Sequence, residues 1–208
     1  YSVQYSTNSG STWTSATTNT GTTATSYTVT GLTNGTAHIF KVAAVNANGT
    51  GTYSANSSAV TPYTVPGAPT SVTGTRGAGQ VSLSWTAPAS TGGSAITDYA
   101  VQYSSDSGST WTTFTDSVSS ATTATVTGLT NGTAYVFRTA AVNAAGTGTY
   151  STASAAVTPS TTAGAPTSVA GTGGNTQVAL TWTAPVSNGG GAITGYSVQY
   201  SSNSGSTW

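Results

Sequence analysis

QVSLSWTAPASTGGSAITDYAVQYS (Gln80 to Ser104) decides the fold. Val81, Leu83 and Trp85 alternate with polar residues, and Tyr99, Val101 and Tyr103 do the same after a turn built on Gly92 and Gly93. A period of two puts each apolar set on one face of an extended strand. Both segments therefore read as half-buried strands. Working outward, APTSVTGT (Ala68 to Thr75), TWTTFT (Thr110 to Thr115), TATVTG (Thr123 to Gly128), AYVFRTAAV (Ala134 to Val142) and YSTASAAVT (Tyr150 to Thr158) are further strand candidates, seven in all with the first two. Turn formers separate them: Gly77 with Gly79, Ser107 with Gly108, Asn131 with Gly132, and Ala145 to Gly148. No stretch carries a 3.6-residue apolar period, and Thr and Gly disfavour helix. The reading is all-β, an antiparallel sandwich of seven short strands.

The second strand also opens a repeat. YSVQYSTNSGSTW (Tyr1 to Trp13) returns as YAVQYSSDSGSTW (Tyr99 to Trp111) and as YSVQYSSNSGSTW (Tyr196 to Trp208), spaced 98 and 97 residues apart. That period is one small domain. Residues 66–158 hold a complete module, residues 1–62 a partial one and residues 163–208 another, joined by the short proline-restricted connectors TPYTVPGAP (Thr61 to Pro69) and TPSTTAGAP (Thr158 to Pro166).

Composition limits the chemistry. Charged residues make up 3% of the chain, the net charge is 0, and there is no Cys or Met. Neither disulfides nor thiolate metal sites hold the modules together, so each relies on its own core. Lys41, Arg76 and Arg138 form no basic stripe, which argues against nucleic acid as a partner. No apolar run approaches the ~18 residues of a membrane span, so no membrane insertion is expected. There is no Glu, and the acids Asp98, Asp106 and Asp116 belong to one repeat. Asp106 is replaced by Asn8 and Asn203 in the other copies, which a catalytic carboxylate would not survive. No catalytic, cofactor or metal residue is assigned, and the chain reads as a non-enzyme without a cofactor. The glycine-rich turns lack the strand-to-helix context of a phosphate loop. The N-x-S/T sequons at Asn34, Asn48, Asn56 and Asn131 are what chance gives in so Ser/Thr/Asn-rich a chain.

Pro69 in the first strand, Trp85 in the second, Tyr99-x-Val101-x-Tyr103 in the third and GLTNGTAYVFRTAAVNAAGTG (Gly128 to Gly148) together resemble the fibronectin type III module, in its tandem bacterial versions. The resemblance covers essentially the whole chain. It implies a sandwich with strands A, B and E facing C, C′, F and G, without disulfide. The partial modules then comprise strands C to G (residues 1–62) and A to C with the start of C′ (residues 163–208). The implied core is Trp85 or Trp182 packed against Tyr99 or Tyr196, together with Phe137, Leu32 and Phe40. Leu129 and Tyr135 fit the tyrosine corner, in which a phenolic hydroxyl bonds back to the preceding loop. The first repeat has His38 in place of Tyr135, so its corner is made by a ring N–H or is missing. Thr139 stands where that repeat has Val42, on the face expected to be inward, and its hydroxyl needs a partner if buried.

Trp13, Trp111 and Trp208, at the end of the C–C′ hairpin, and Tyr53 and Tyr150, after the F–G loop, are the candidate contact surface. They are set either to meet glycans or proteins or to pack on their own sandwich edge or the next module. The expected function is structural: an extracellular, semi-rigid spacer in a filament, surface layer or adhesin stalk. Its partners would be neighbouring copies of the same repeat, or cell-surface glycans. The alternatives are an accessory, carbohydrate-contacting region of a secreted polysaccharide-degrading enzyme and a virion surface or tail decoration. A tail of one chain completing the head of another by strand addition is a further expectation; an internal window of a longer polypeptide is the plainer one.

Overall fold

The computed structural model describes all 208 residues. The central unit contains β6 (Thr70–Gly77), β7 (Gln80–Thr86), β8 (Asp98–Ser104), β9 (Thr112–Phe114), β10 (Thr123–Thr127), β11 (Val136–Asn143) and β12 (Gly146–Thr147). Before it come β1 (Ser2–Ser6), β2 (Thr14–Thr17), β3 (Ile39–Ala43), β4 (Val45–Asn46) and β5 (Gly49–Thr50); after it come β13 (Thr167–Gly174) and β14 (Gln177–Thr183). Every pairing is antiparallel.

In the central unit one sheet runs β10-β7-β6 and the other β12-β11-β8-β9. Alternation decides what lies between them. Val81, Leu83 and Trp85 point inward from β7, Tyr99 and Val101 from β8, Val126 from β10, and Phe137 and Ala141 from β11. Trp85 is 6% exposed and meets Tyr99 edge-on, with ring centroids 5.2 Å apart. Its indole N–H has no hydrogen-bond partner. Burial raises the Tyr99 phenol above its ordinary pKa. Each large side chain buried here is worth roughly 2–3 kcal/mol of transfer free energy, and no cross-link supplements it.

The last strand candidate differs from the expectation. Tyr150 to Thr158 forms no regular strand; only Val157 bridges Tyr135. Ser151 N donates to Thr139 O, Ser154 N to Phe137 O and Val157 N to Tyr135 O, so three residues of this segment span two of β11. The stretched register leaves β11 donors without carbonyl partners. Serine hydroxyls replace them: Ser151 Oγ accepts from Thr139 N at 3.1 Å, and Ser154 Oγ from Phe137 N at 3.0 Å. The first unit repeats the device with Ser54 on Val42 N and Ser57 on Phe40 N.

The flanking units show the same sequence deprived of partners. In residues 1–62, β1 pairs β2 and β3, but Ala24 to Thr30, the counterpart of β10, forms no strand because no counterpart of β7 lies beside it. Leu32 and Phe40 are accordingly only half-buried, not enclosed core residues. In residues 163–208, β13 and β14 pair as a hairpin whose inner face no second sheet covers. Trp182 still meets Tyr196 edge-on at 5.1 Å, yet Trp182 is half-buried and Tyr196 is 44% exposed. The third strand expected there does not form, because residues 196–201 have no ladder partner equivalent to β11.

Two outcomes follow for the central unit. Thr139 is fully buried with an unpartnered Oγ1, so Thr139→Val should raise stability by about 1 kcal/mol in chemical denaturation. Ser151→Ala removes the acceptor of a buried N–H and should lower it by ~1–2 kcal/mol in the same assay.

Candidate functional site

Three constructions recur from unit to unit at fixed positions. The first is the tip of the hairpin after β1, after β8 and at the C-terminal end. Asp106 Oδ1 accepts from Ser104 Oγ at 2.6 Å and Thr110 N at 2.9 Å, and Oδ2 accepts from Thr110 Oγ1 at 2.6 Å. Asn8 keeps the geometry with one bond reversed: its Oδ1 accepts from Ser6 Oγ and Thr12 N, while its Nδ2 donates to Thr12 Oγ1. Asn203 matches Asn8 with Ser201 and Thr207. A threonine hydroxyl both donates and accepts, so acid and amide are interchangeable here. The Ser104 hydroxyl, then Thr110, hold the Asp106 carboxyl at about 2, below its ordinary 3.8.

The second construction is a cross-strand row on the outer face of the four-stranded sheet. Arg138 on β11 lies opposite Gln102 on β8, and Gln102 opposite Thr113 on β9. Arg138 Nε donates to Gln102 Oε1 at 2.9 Å, and Gln102 Nε2 donates to Thr113 Oγ1 at 3.1 Å. The guanidinium carbon stands 4.1 Å from the Trp111 ring centroid and 4.6 Å from that of Tyr150. In the first unit Lys41 Nζ takes the same place, 4.0 Å from Trp13 and 4.8 Å from Tyr53, and Lys41 pairs Gln4 in register. Four of the five aromatics singled out in the sequence are thus half-buried around a cation, whereas Trp208 is 73% exposed. Sequence reasoning missed the cations. Their signal was a basic residue at 41 and again at 138, one module apart, in a chain with only three.

The third construction is the joint between units. Thr64 N donates to Gly92 O at 2.8 Å and Gly67 N to Ser90 O at 2.9 Å, which lays the connector along the loop between β7 and β8. Asn143 Nδ2, from the end of β11, donates to Thr64 O and Thr91 O, both at 2.8 Å. Gly93 packs backbone to backbone on Gly35 of the preceding unit: a Cβ there would overlap the Gly35 amide nitrogen and stand 2.8 Å from its Cα. The next joint repeats the backbone contacts without the asparagine bonds, with Thr161 N on Gly189 O, Gly164 N on Ser187 O, and Gly190 against Gly132 and Asn131. Gly92, Gly93, Gly189 and Gly190 all have positive φ, so glycine is required for conformation as well as for space.

The remaining sequence candidates are structural in position. Leu129 and Tyr135 are buried, and Tyr135 Oη accepts from Thr130 N at 3.2 Å. His38 is also buried; its Nδ1 lies 2.7 Å from Thr36 O, and its ring stacks on Phe40. An open apolar groove lined by Val3, Tyr27, Val29, Leu32 and Phe40 lies on the face of the first unit that β6 and β7 cover in the second. No group of three or more His, Cys, Asp or Glu is arranged to hold a metal ion.

Facing antiparallel sheets around one tryptophan in the central unit, with the same strand motifs recurring on either side and no disulfide, define a tandem immunoglobulin-like sandwich protein. The model of the fibronectin type III domain matches residues 1–60 and 67–157, well over half of the sequence, and the chain belongs to that family. Similar solved structures include domains A168–A170 from titin (28% identity over 59% of this chain and 40% of that one, TM-score 0.46). Others are the titin kinase with its flanking domains (33%, 46% and 17%, TM-score 0.41) and the twitchin kinase region from C. elegans (30%, 46% and 17%, TM-score 0.42). The chain spans between 17% and 40% of the length of these three. No curated protein matches.

The hairpin tip gives a sharp outcome. The Asp106 carboxylate is favoured in the fold, so its contribution is complete above the ordinary value of 3.8 and is lost as pH falls through about 2. Carboxyl-carbon NMR should place its midpoint there, and Asp106→Asn should leave the hairpin shifts near native, as the asparagine tips imply.

Proposed function

We propose that this chain is a non-catalytic, semi-rigid spacer of an extracellular filament, surface layer or adhesin stalk, working through the repetition of its modules and contacting chiefly neighbouring copies of the same repeat. The observation that carries the reading is the duplicated joint. A flexible string of domains needs no glycine pair fitted against the preceding unit, whereas here connector carbonyls, Asn143 and a backbone-to-backbone contact fix one unit on the next. The same joint used twice sets the same rotation and translation twice, which is how a uniform rod is generated. With strands of ~3.3 Å per residue lying along the axis, each module adds roughly 30–40 Å.

Composition supports an extracellular setting: polarity rests on hydroxyls and amides, with 3% charged residues and net charge 0. A spacer has no use for paired acids, and Asp106 is occupied by its own hairpin. Residual dipolar couplings on the 208-residue chain test the reading. The first and second units should share one alignment tensor, and Gly93→Val should give them two while each keeps its own chemical-shift pattern, since the substitution strains a positive φ by ~1–2 kcal/mol and forces the units apart. Separate tensors in the unsubstituted chain would refute the rigid spacer.

A further inference from the structure

We propose that the Trp–cation–Tyr row on the outer sheet face is a binding site for an acidic sugar, the free edge of the Arg138 guanidinium taking the sugar carboxylate. The site adds to the spacer reading and does not depend on it.

Arg138 and Lys41 are two of the three basic residues in the chain and occupy the same row in successive units. Neither has a carboxylate partner: Asp106 is engaged by Ser104 and Thr110, and Asp98 accepts from Ser119 N. An aliphatic side chain would fill the space between two rings without the desolvation cost of a cation. What a guanidinium adds is donors in a fixed plane. Trp111 and Tyr150 lie over it, Gln102 takes Nε, and no acceptor of the chain takes the Nη groups. A planar guanidinium held by stacking and one hydrogen bond is set for bidentate contact with a carboxylate.

The rest of the row selects the ligand class. One cation per unit matches one carboxylate, and a polyphosphate or nucleic-acid backbone would find no second. Gln102 and Thr113 offer neutral donors and acceptors for hydroxyls, and the half-exposed rings offer apolar surface for a sugar's C–H face. A hexuronic acid combines a single carboxylate, several hydroxyls and an apolar face. An acidic peptide has the carboxylate but leaves the hydroxyl-binding groups unused.

Methyl glucuronide, methyl glucoside and a tetra-aspartate peptide are the probes, titrated into the 208-residue chain while the Arg138 Nε–Hε and Trp111 indole NMR signals are followed. The glucuronide should shift both saturably, the glucoside should not, and Arg138→Gln should weaken binding by roughly tenfold or more, with Arg138→Lys between the two. If Arg138→Gln does not fold, Lys41→Gln should remove the corresponding shifts at Trp13 and Tyr53. Absence of saturable shifts with glucuronide, equal binding of glucoside, or tighter binding of the peptide would each overturn the proposal.

Discussion

Burial of Trp85 against Tyr99, inside the cluster that also holds Phe137, is the contact on which the central unit depends, because nothing else is available to close it. With no disulfide and almost no charge, the opposed sheets are held by one apolar layer and by their ladders. The flanking units make the dependence visible. Trp182 and Tyr196 keep the same edge-on geometry as Trp85 and Tyr99, but without a covering sheet the pair stays partly in solvent and its third strand does not form. Strand formation here is a consequence of having both a ladder partner and an opposite face, since the copies carry closely similar sequences.

Hydroxyl chemistry does much of what charge does elsewhere. Serines at three-residue intervals complete the β11 ladder where the final segment is stretched, and threonines at the hairpin tips accept either an acid or an amide opposite them. At the hairpin tips they let Asp and Asn stand at one position without altering the frame.

The joints follow from the same economy of side chains. Glycines at the loop between β7 and β8 let one backbone lie directly on another, and Asn143 reaches from the sheet to fasten the connector. The two cations instead sit out on the sheet face, stacked between rings, which separates the surface that positions modules from the surface we assign to a ligand.

Alternation determined the all-β class, the spans of β7 and β8 and the shared faces of Val81, Leu83 and Trp85 and of Tyr99 and Val101, and the near-duplicate segments determined the period of the array, because each is a matter of residue order along one chain. Tertiary structure decided the rest. The final segment of the module has strand-like composition, yet its register is set by Ser151 and Ser154 bonding to β11, which depends on which backbone lies beside it. Gly93 and Gly190 read as ordinary turn residues until the preceding unit is placed against them. Leu32, Phe40, Trp182 and Tyr196 carry the same pattern as their buried counterparts, but burial belongs to the pair of faces in contact and not to either sequence. Lys41 and Arg138 were likewise indistinct as isolated charges; only the pleat, bringing β8, β9 and β11 side by side in one unit and β1, β2 and β3 in the other, set each cation between two rings.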